Sequence, residues 1–171
     1  VLFRSIVKYG DPVLAKVAEP ITVYDKDLKK LVEDMLESMY AAKGIGLAAP
    51  QIGISKHIAV IDISFGKDPD QKLVLCNPVI IATEGKQSEE EGCLSVPDFR
   101  EKVTRPLKAT VRAKDVKGKE FTMTGEGLLA RAFCHETDHL NGKLYLSHLS
   151  SLKRELMVRK IKKLQKAGEW V

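Results

Sequence analysis

The sequence predicts an α+β fold: antiparallel strands and sheets around one central helix, with an N-terminal and a C-terminal helix flanking them. Three observations carry that expectation. Apolar residues recur at three- and four-residue steps over 25–42 and again over 150–167, the period of a helix with one buried face. A third helical run, 125–140, is rich in strong helix formers and stops at Asn141-Gly142. Between the 25–42 and 125–140 helices lie short β-branched runs separated by turn markers.

In chain order, the first helix presents Leu28, Leu31, Val32, Met35, Leu36 and Met39 as its packing face, which makes Met35 and Met39 core residues. Asp25 and Asp27 favour its amino-terminal end, and Lys43-Gly44 stops it. Residues 44–53 read as a loop, small and apolar except for Gln51; glycines at 44 and 46 let a ligand's backbone come close. Strands are expected at 57–63, 72–76, 78–83, 103–104, 108–115 and 120–124, with turns at Phe65-Gly66, Asp68-Pro69 and Lys117-Gly118. His57 opens a strand and His148 follows the 125–140 helix; both read as structural or surface residues. The last helix shows Leu152, Leu156, Val158, Ile161 and Leu164 as its packing side.

A chain of 171 residues suits one domain, 1–171, able to bury a core without disulfides. Three cysteines at unrelated spacings form no disulfide framework and fit a reducing compartment. No apolar run approaches the roughly 20 residues that span a bilayer, and Val1-Leu2-Phe3-Arg4-Ser5 has neither a signal nor a transit pattern, so the cytoplasm is expected. The net charge of +5 is unevenly placed. Lys153, Arg154, Arg159, Lys160, Lys162, Lys163 and Lys166 face a single acid, Glu155, which points either to a solvated helix face or to an anionic partner.

The chemistry concentrates in Phe133-Cys134-His135-Glu136-Thr137-Asp138-His139. Two histidines four apart on a helix project from one face, one turn above the other, so both imidazoles can reach one metal ion. Glu136 sits one residue round, outside the ligand set but within reach of a water, where it can act as general base. An ordinary polar helix face would show the same letters, so the motif needs a third ligand. Zinc peptidases of one class supply a histidine six residues after the second; here that position is Tyr145. A downstream glutamate would have to be Glu155, inside the basic segment. Cys134 points about 100° off the ligand face. Cys76 lies in an apolar run, where cysteine behaves as a small hydrophobe. Cys93 stands in the polar turn Glu90-Glu91-Gly92-Cys93-Leu94-Ser95-Val96-Pro97, where a thiolate can be exposed. Three ligands leave a tetrahedral ion one open position, the mark of a catalytic site. Thiolate with imidazole suits zinc, ferrous iron, cobalt or nickel alike.

Gly44-Ile45-Gly46-Leu47-Ala48-Ala49-Pro50-Gln51, Glu91-Gly92-Cys93-Leu94-Ser95 and His135-Glu136-Thr137-Asp138-His139 resemble, in order and spacing, the three signature motifs of peptide deformylases. The resemblance runs from Ile6-Val7-Lys8-Tyr9-Gly10-Asp11-Pro12 to the terminal basic helix, with one departure: Cys134 stands where the family usually has glutamine. It implies Cys93, His135 and His139 as ligands of Fe2+, with Zn2+, Ni2+ or Co2+ able to substitute. It implies a substrate, an N-formyl-methionyl peptide, whose formyl carbonyl is attacked to give formate and a free amine. Glu136 would take the water's proton and return it to the leaving nitrogen, while the Gln51 amide and the Leu94 N–H hold the oxyanion beside Gly46. Gly44, Ile45, Glu91, Gly92, Arg100, Leu128, Arg131 and Ala132 would bind the peptide. Of these, Ile45, Leu128, Ala132 and part of Arg131 would line the methionine pocket, the chain lying along the 44–46 loop and the strand leading to Gly92. Asp138 would be structural, paired with Arg105. The basic helix would dock on ribosomal RNA. Another HExxH peptidase or amidase is disfavoured by the missing third histidine, and an inactive ribosome-binding homologue by the presence of Gln51, Cys93 and Glu136.

Overall fold

The computed structural model describes residues 4–170. Its helices are α1 (Lys26–Ala41), α2 (Leu128–Leu140) and α3 (Ser151–Lys166). Its strands are β1 (Gly46–Ala48), β2 (Ile58–Ile61), β3 (Leu73–Glu84), β4 (Gln87–Cys93), β5 (Val96–Arg105), β6 (Lys108–Lys114) and β7 (Glu120–Glu126). Five form one antiparallel sheet in the order β1-β2-β3-β6-β7, and β4 pairs with β5 as a separate antiparallel ribbon.

α1 begins where Asp25 Oδ1 accepts the Leu28 N–H at 3.0 Å, satisfying one of the helix's free donors. It lays Leu28, Leu31, Val32, Met35 and Met39 against Leu47, Ile58, Val60 and Cys76. α2 crosses the opposite side of the fold, where Ala132 and Phe133 meet Ile61, Leu75, Val111 and Ala113. Its approach to β7 requires Gly125, since a Cβ there would lie 2.7 Å from Leu129 Cγ and 2.9 Å from Phe133 Cε2. Ten residues of α2 are buried. A helix covered nearly all round is a rigid base for reactive side chains.

Several expectations are corrected. The strands expected at 72–76 and 78–83 are one strand, β3, which begins at Leu73. Asn77 takes a left-handed turn at φ 51°, and its side chain clamps Ile21 through Oδ1 (2.8 Å) and Nδ2 (2.9 Å). Pro78 is thereby held at a register shift, where its missing N–H costs no ladder bond. Residues 103–104 are part of the ten-residue strand β5, and the polar turn at 90–97 is mostly strand, closed by Leu94-Ser95. Alternating charged residues hid both, because this ribbon exposes one face. The 44–53 segment is not a bare loop: Leu47, Ala48, Ala49 and Ile52 are core, small residues being what fits under α1 and α2. On α3 the buried stripe is Met157 and Ile161, while Leu152 (67% exposed) and Leu156 (45%) face outward. Ile161 and Val158 pack inward as expected, while Met157 takes the inward place expected of Leu156, its Sδ receiving the Tyr145 hydroxyl at 3.7 Å.

The β2 exit carries a second structural polar group. Asp62, fully buried, accepts hydrogen bonds from Tyr40 Oη (2.5 Å), Ser64 Oγ (2.6 Å), Ser64 N (2.9 Å) and Gly66 N (3.0 Å). Burial would raise its pKa, but these donors outweigh it and hold the carboxyl below its ordinary value. The bonds to the anion therefore stabilise the fold fully above the unfolded value of about 3.9 and are lost as pH falls through the folded one. Asp62→Ala is expected to cost about 2–4 kcal/mol in urea unfolding at neutral pH. The gap to the unsubstituted protein should narrow below pH ~4; a gap unchanged there would contradict the role.

Candidate metal centre and active-site cleft

β4 and β5 are joined by only two residues, and a register shift between Gly92 and Cys93 pairs Gly92 with Arg100 but Cys93 with Val96. Such an irregularity bends the strand and re-aims its side chains. Here it turns Cys93 towards α2, where Sγ lies 3.3 Å from His139 Nε2. His139 Nε2 lies 3.1 Å from His135 Nε2. The ligand atoms of Cys93, His135 and His139 all fall within 4.8 Å of one another. Burial and the neighbouring His135 hold His139 well below the ordinary histidine value, so its imidazole is neutral, the form that ligates.

A buried carboxylate sets the first of these histidines. Glu91 Oε2 lies 2.6 Å from His135 Nδ1. With that nitrogen donating, Nε2 presents its lone pair to the cluster. Arg105 grips Glu91 through Nε (3.1 Å) and Nη2 (2.6 Å), and Arg131 Nη1 reaches Oε1 at 2.6 Å. Arg105 Nη1 continues to Asp138 Oδ2 at 2.7 Å, the pair expected from the sequence, and His148 Nε2 caps the same oxygen at 2.8 Å. Burial alone would raise the Glu91 pKa, yet the bonds from His135 and Arg105 hold it well below the usual carboxylate range. Two guanidiniums against two carboxylates leave this interior network balanced, as a buried cluster of charges requires. Glu91 and Arg131 were expected to meet substrate. Both border the cleft, but their charged groups are engaged with each other and, for Arg131 Nη2, with the Val103 carbonyl at 3.0 Å.

A cleft of about 620 Å³ opens over the centre. All the catalytic and peptide-binding residues singled out above border it, with Cys93 and His135, while His139 lies behind them at 1% exposure. Gln51 is oriented by its own backbone neighbourhood: Oε1 accepts the Ala48 N–H at 3.0 Å, which turns Nε2 towards Ser95 Oγ (3.2 Å) and Cys93 Sγ (3.6 Å). Glu136 stays outside the donor cluster. Its carboxylate lies over Gly46, where an added Cβ would fall 2.9 Å from Glu136 Cδ. Its Oε1 is buried without a hydrogen-bond partner, and burial pushes its pKa up to about 7. Cys134 packs beside Ala109 and Ala130, away from the donors, and burial lifts its thiol to about 11. Sequence reasoning missed Pro97, Asp98 and Phe99, which form the β5 wall of the cleft.

One cysteine sulfur from β4 and two imidazoles from the buried helix α2 converge as the donor chemistry of a single transition-metal ion. A buried carboxylate beside them but outside the set gives the chain the layout of a metal-dependent hydrolase. Comparison with known proteins makes the class specific. The family described as Polypeptide deformylase matches residues 3–155. The chain is 61% identical over 169 residues to the peptide deformylase of Acidobacterium capsulatum, covering 99% of each. It is 50% identical over 160 residues to that of Desulfotalea psychrophila, covering 93% of this chain and 95% of the relative. A crystal structure of a peptide deformylase from Legionella pneumophila superposes with a TM-score of 0.90 at 46% identity, covering 98% of each chain. The chain belongs to the polypeptide deformylase family, and its activity is removal of the N-formyl group from nascent polypeptides.

Proposed function

We propose that the chain acts as one catalytic domain that deformylates N-formyl-methionyl chains in the cytoplasm with Fe2+ held by Cys93, His135 and His139. The observation that carries this reading is the convergence of those three donors beside a buried, unligated Glu136. When bound, the ion supplies Lewis acidity that makes a hydroxide nucleophile available near neutral pH. The protein's own groups do the rest. Glu136 takes the proton of the attacking water and returns it to the leaving nitrogen, its carboxylate kept close by the absence of a side chain at Gly46. The Gln51 amide, its orientation fixed by Ala48, donates to the developing oxyanion together with the Leu94 N–H. Ile45, Leu128 and Ala132 enclose the methionine side chain, and the peptide lies extended between the 44–46 loop and Gly92, with Arg100 towards its far end. Among the described residues no helix is long and apolar enough to cross a membrane.

Iron is favoured over Zn2+, Co2+ and Ni2+ by the family resemblance, since the donor set accommodates all four. Metal-stripped protein reloaded with each ion under argon tests it: Fe2+ should give the fastest formate release. Equal or faster turnover with zinc would overturn the assignment.

The same reading places α3 on ribosomal RNA. Its buried stripe is confined to Met157 and Ile161, and the cationic side chains of Arg159, Lys160, Lys162 and Lys163 are exposed. Replacing those four with glutamine spares the stripe. Ribosome co-sedimentation is expected to weaken about tenfold or more, with a shallower salt dependence, because each phosphate contact releases counterions. Hydrolysis of a short formylated peptide should be unaffected. Binding that is salt-insensitive, or unchanged in the variant, would return α3 to a solvated face.

A further inference from the structure

Trp170, the single tryptophan of the chain, follows α3 and has no part in the chemistry above. Its indole is nevertheless built into the cleft's support. Nε1 donates to the Tyr9 carbonyl at 2.9 Å. The ring meets Phe99 edge-on, with centroids 6.1 Å apart and planes at 68°. Both contacts lead to the active site. Phe99 lines the cleft on its β5 wall. Tyr9 N donates to the Ser95 carbonyl at 2.8 Å, and Ser95 is the hairpin residue whose hydroxyl accepts from Gln51 Nε2.

That wall has reason to need a brace. Asp98, immediately before Phe99, has φ +68°, a left-handed conformation unfavourable for a residue with a Cβ. The register slip beside Cys93 leaves 97–99 without ladder partners on β4. Two side chains hold the segment instead. Tyr145 Oη donates to the Phe99 carbonyl at 3.4 Å, and Trp170 packs against the Phe99 ring. Tyr9, Cys93, Phe99 and Trp170 pack together on one apolar core that includes Val96, Tyr145, Met157 and Ile161. The metal hairpin, the β5 wall and α3 therefore share a single packed unit.

We propose that Trp170 is a positioning residue that sets the Phe99 wall and, through it, recognition of the peptide beyond its methionine. The proposal rests on the peptide placement given above. The methionine pocket is made by α2 and the 44–46 loop, whereas Phe99 adjoins Arg100, which faces Gly92 across the ribbon. Phe99 thus flanks the later residues of the substrate and leaves the reacting carbonyl untouched. Trp170 acts on binding of longer chains through the Phe99 ring and has no part in bond breaking. Tyr9 holds Ser95 through its own backbone N–H, and Gln51 is fixed separately by Ala48, so the reacting end keeps its geometry.

Formate release from formyl-Met-Ala and from formyl-Met-Ala-Ser-Leu separates this from a plug that merely stabilises the fold. Trp170→Ala should raise KM for the longer peptide about fivefold, the scale of one aromatic pair. Its kcat, and both constants for the dipeptide, should stay within about twofold, that is, below the effect of such a pair. Trp170→Phe, which keeps a ring against Phe99, should recover most of the loss. Equal changes on both peptides, or none on either, would overturn the proposal. Should Trp170→Ala fail to fold, the unsubstituted protein still decides it, since all tryptophan emission comes from residue 170. Saturating Met-Ala-Ser-Leu should shift that emission and Met-Ala should not; no shift with the longer peptide refutes the coupling. A protein that releases no formate from either peptide would sink the catalytic reading instead, and the emission measurement would then settle the positioning role by itself.

Discussion

Glu136→Ala is expected to keep its full complement of metal while turnover falls about 10²–10⁴-fold, the usual contribution of a general acid–base group. The two halves of that result have separate structural causes. Metal is retained because the carboxylate lies over Gly46 and supplies no donor to the Cys93–His135–His139 cluster. Turnover collapses because the other carboxylates packed around the two histidines are already engaged. Glu91 is tied to Arg105, Arg131 and His135, and Asp138 to Arg105 and His148. Glu136→Gln, which preserves the shape against Gly46, should fall as far as the alanine variant. Turnover in either variant within about tenfold of the unsubstituted protein would remove Glu136 from the proton transfer, being well short of what such a group contributes.

Cys93→Ser is expected to lose most of its metal, and its activity with it, while staying folded. A hydroxyl is a far poorer ligand than a thiolate for a borderline-soft ion. The fold survives because Cys93 is only half-buried and touches the edge of a core whose buried members, Val96, Val103, Tyr145 and Ile161, pack on one another, and serine is close to cysteine in size. Metal per chain by elemental analysis, beside an unchanged near-ultraviolet dichroism spectrum, is the measurement. A variant that holds one ion per chain would strike Cys93 from the ligand set. Cys134, though adjacent to His135, should not rescue it, since its thiol is turned into the Ala109–Ala130 contact.

The helices and the metal triad were legible in the sequence for a simple reason: both are local patterns. The 3.6-residue period places Leu28, Met35 and Met39 on one face, and the four-residue spacing of His135 and His139 places two ligands on one ion, whatever the rest of the chain does. The third ligand required elimination among three cysteines, and that worked because burial in β3 and direction on α2 are also local properties. The β4–β5 ribbon was largely hidden. Its exposed face is charged, as in Glu90, Arg100 and Lys102, so the period-2 signal carried few apolar residues. The partners of Glu91 were not readable either, since Arg105, Arg131 and His135 lie between 14 and 44 residues away along the chain. On α3 Ile161 was placed correctly, but Leu156 was preferred to Met157, its neighbour of similar hydrophobicity. Only the tertiary partner, the Tyr145 hydroxyl on Met157, decides which one turns inward.

The central claim is that this cleft hydrolyses a formyl amide with a metal held by Cys93, His135 and His139. The most direct test is formate release from formyl-Met-Ala-Ser by the purified protein, measured beside acetyl-Met-Ala-Ser, before and after chelation and again after Fe2+ is restored. Formate should appear from the formylated peptide alone, stop when the metal is removed and return when it is added back. Formate release that persists at full rate in metal-stripped protein would contradict the claim.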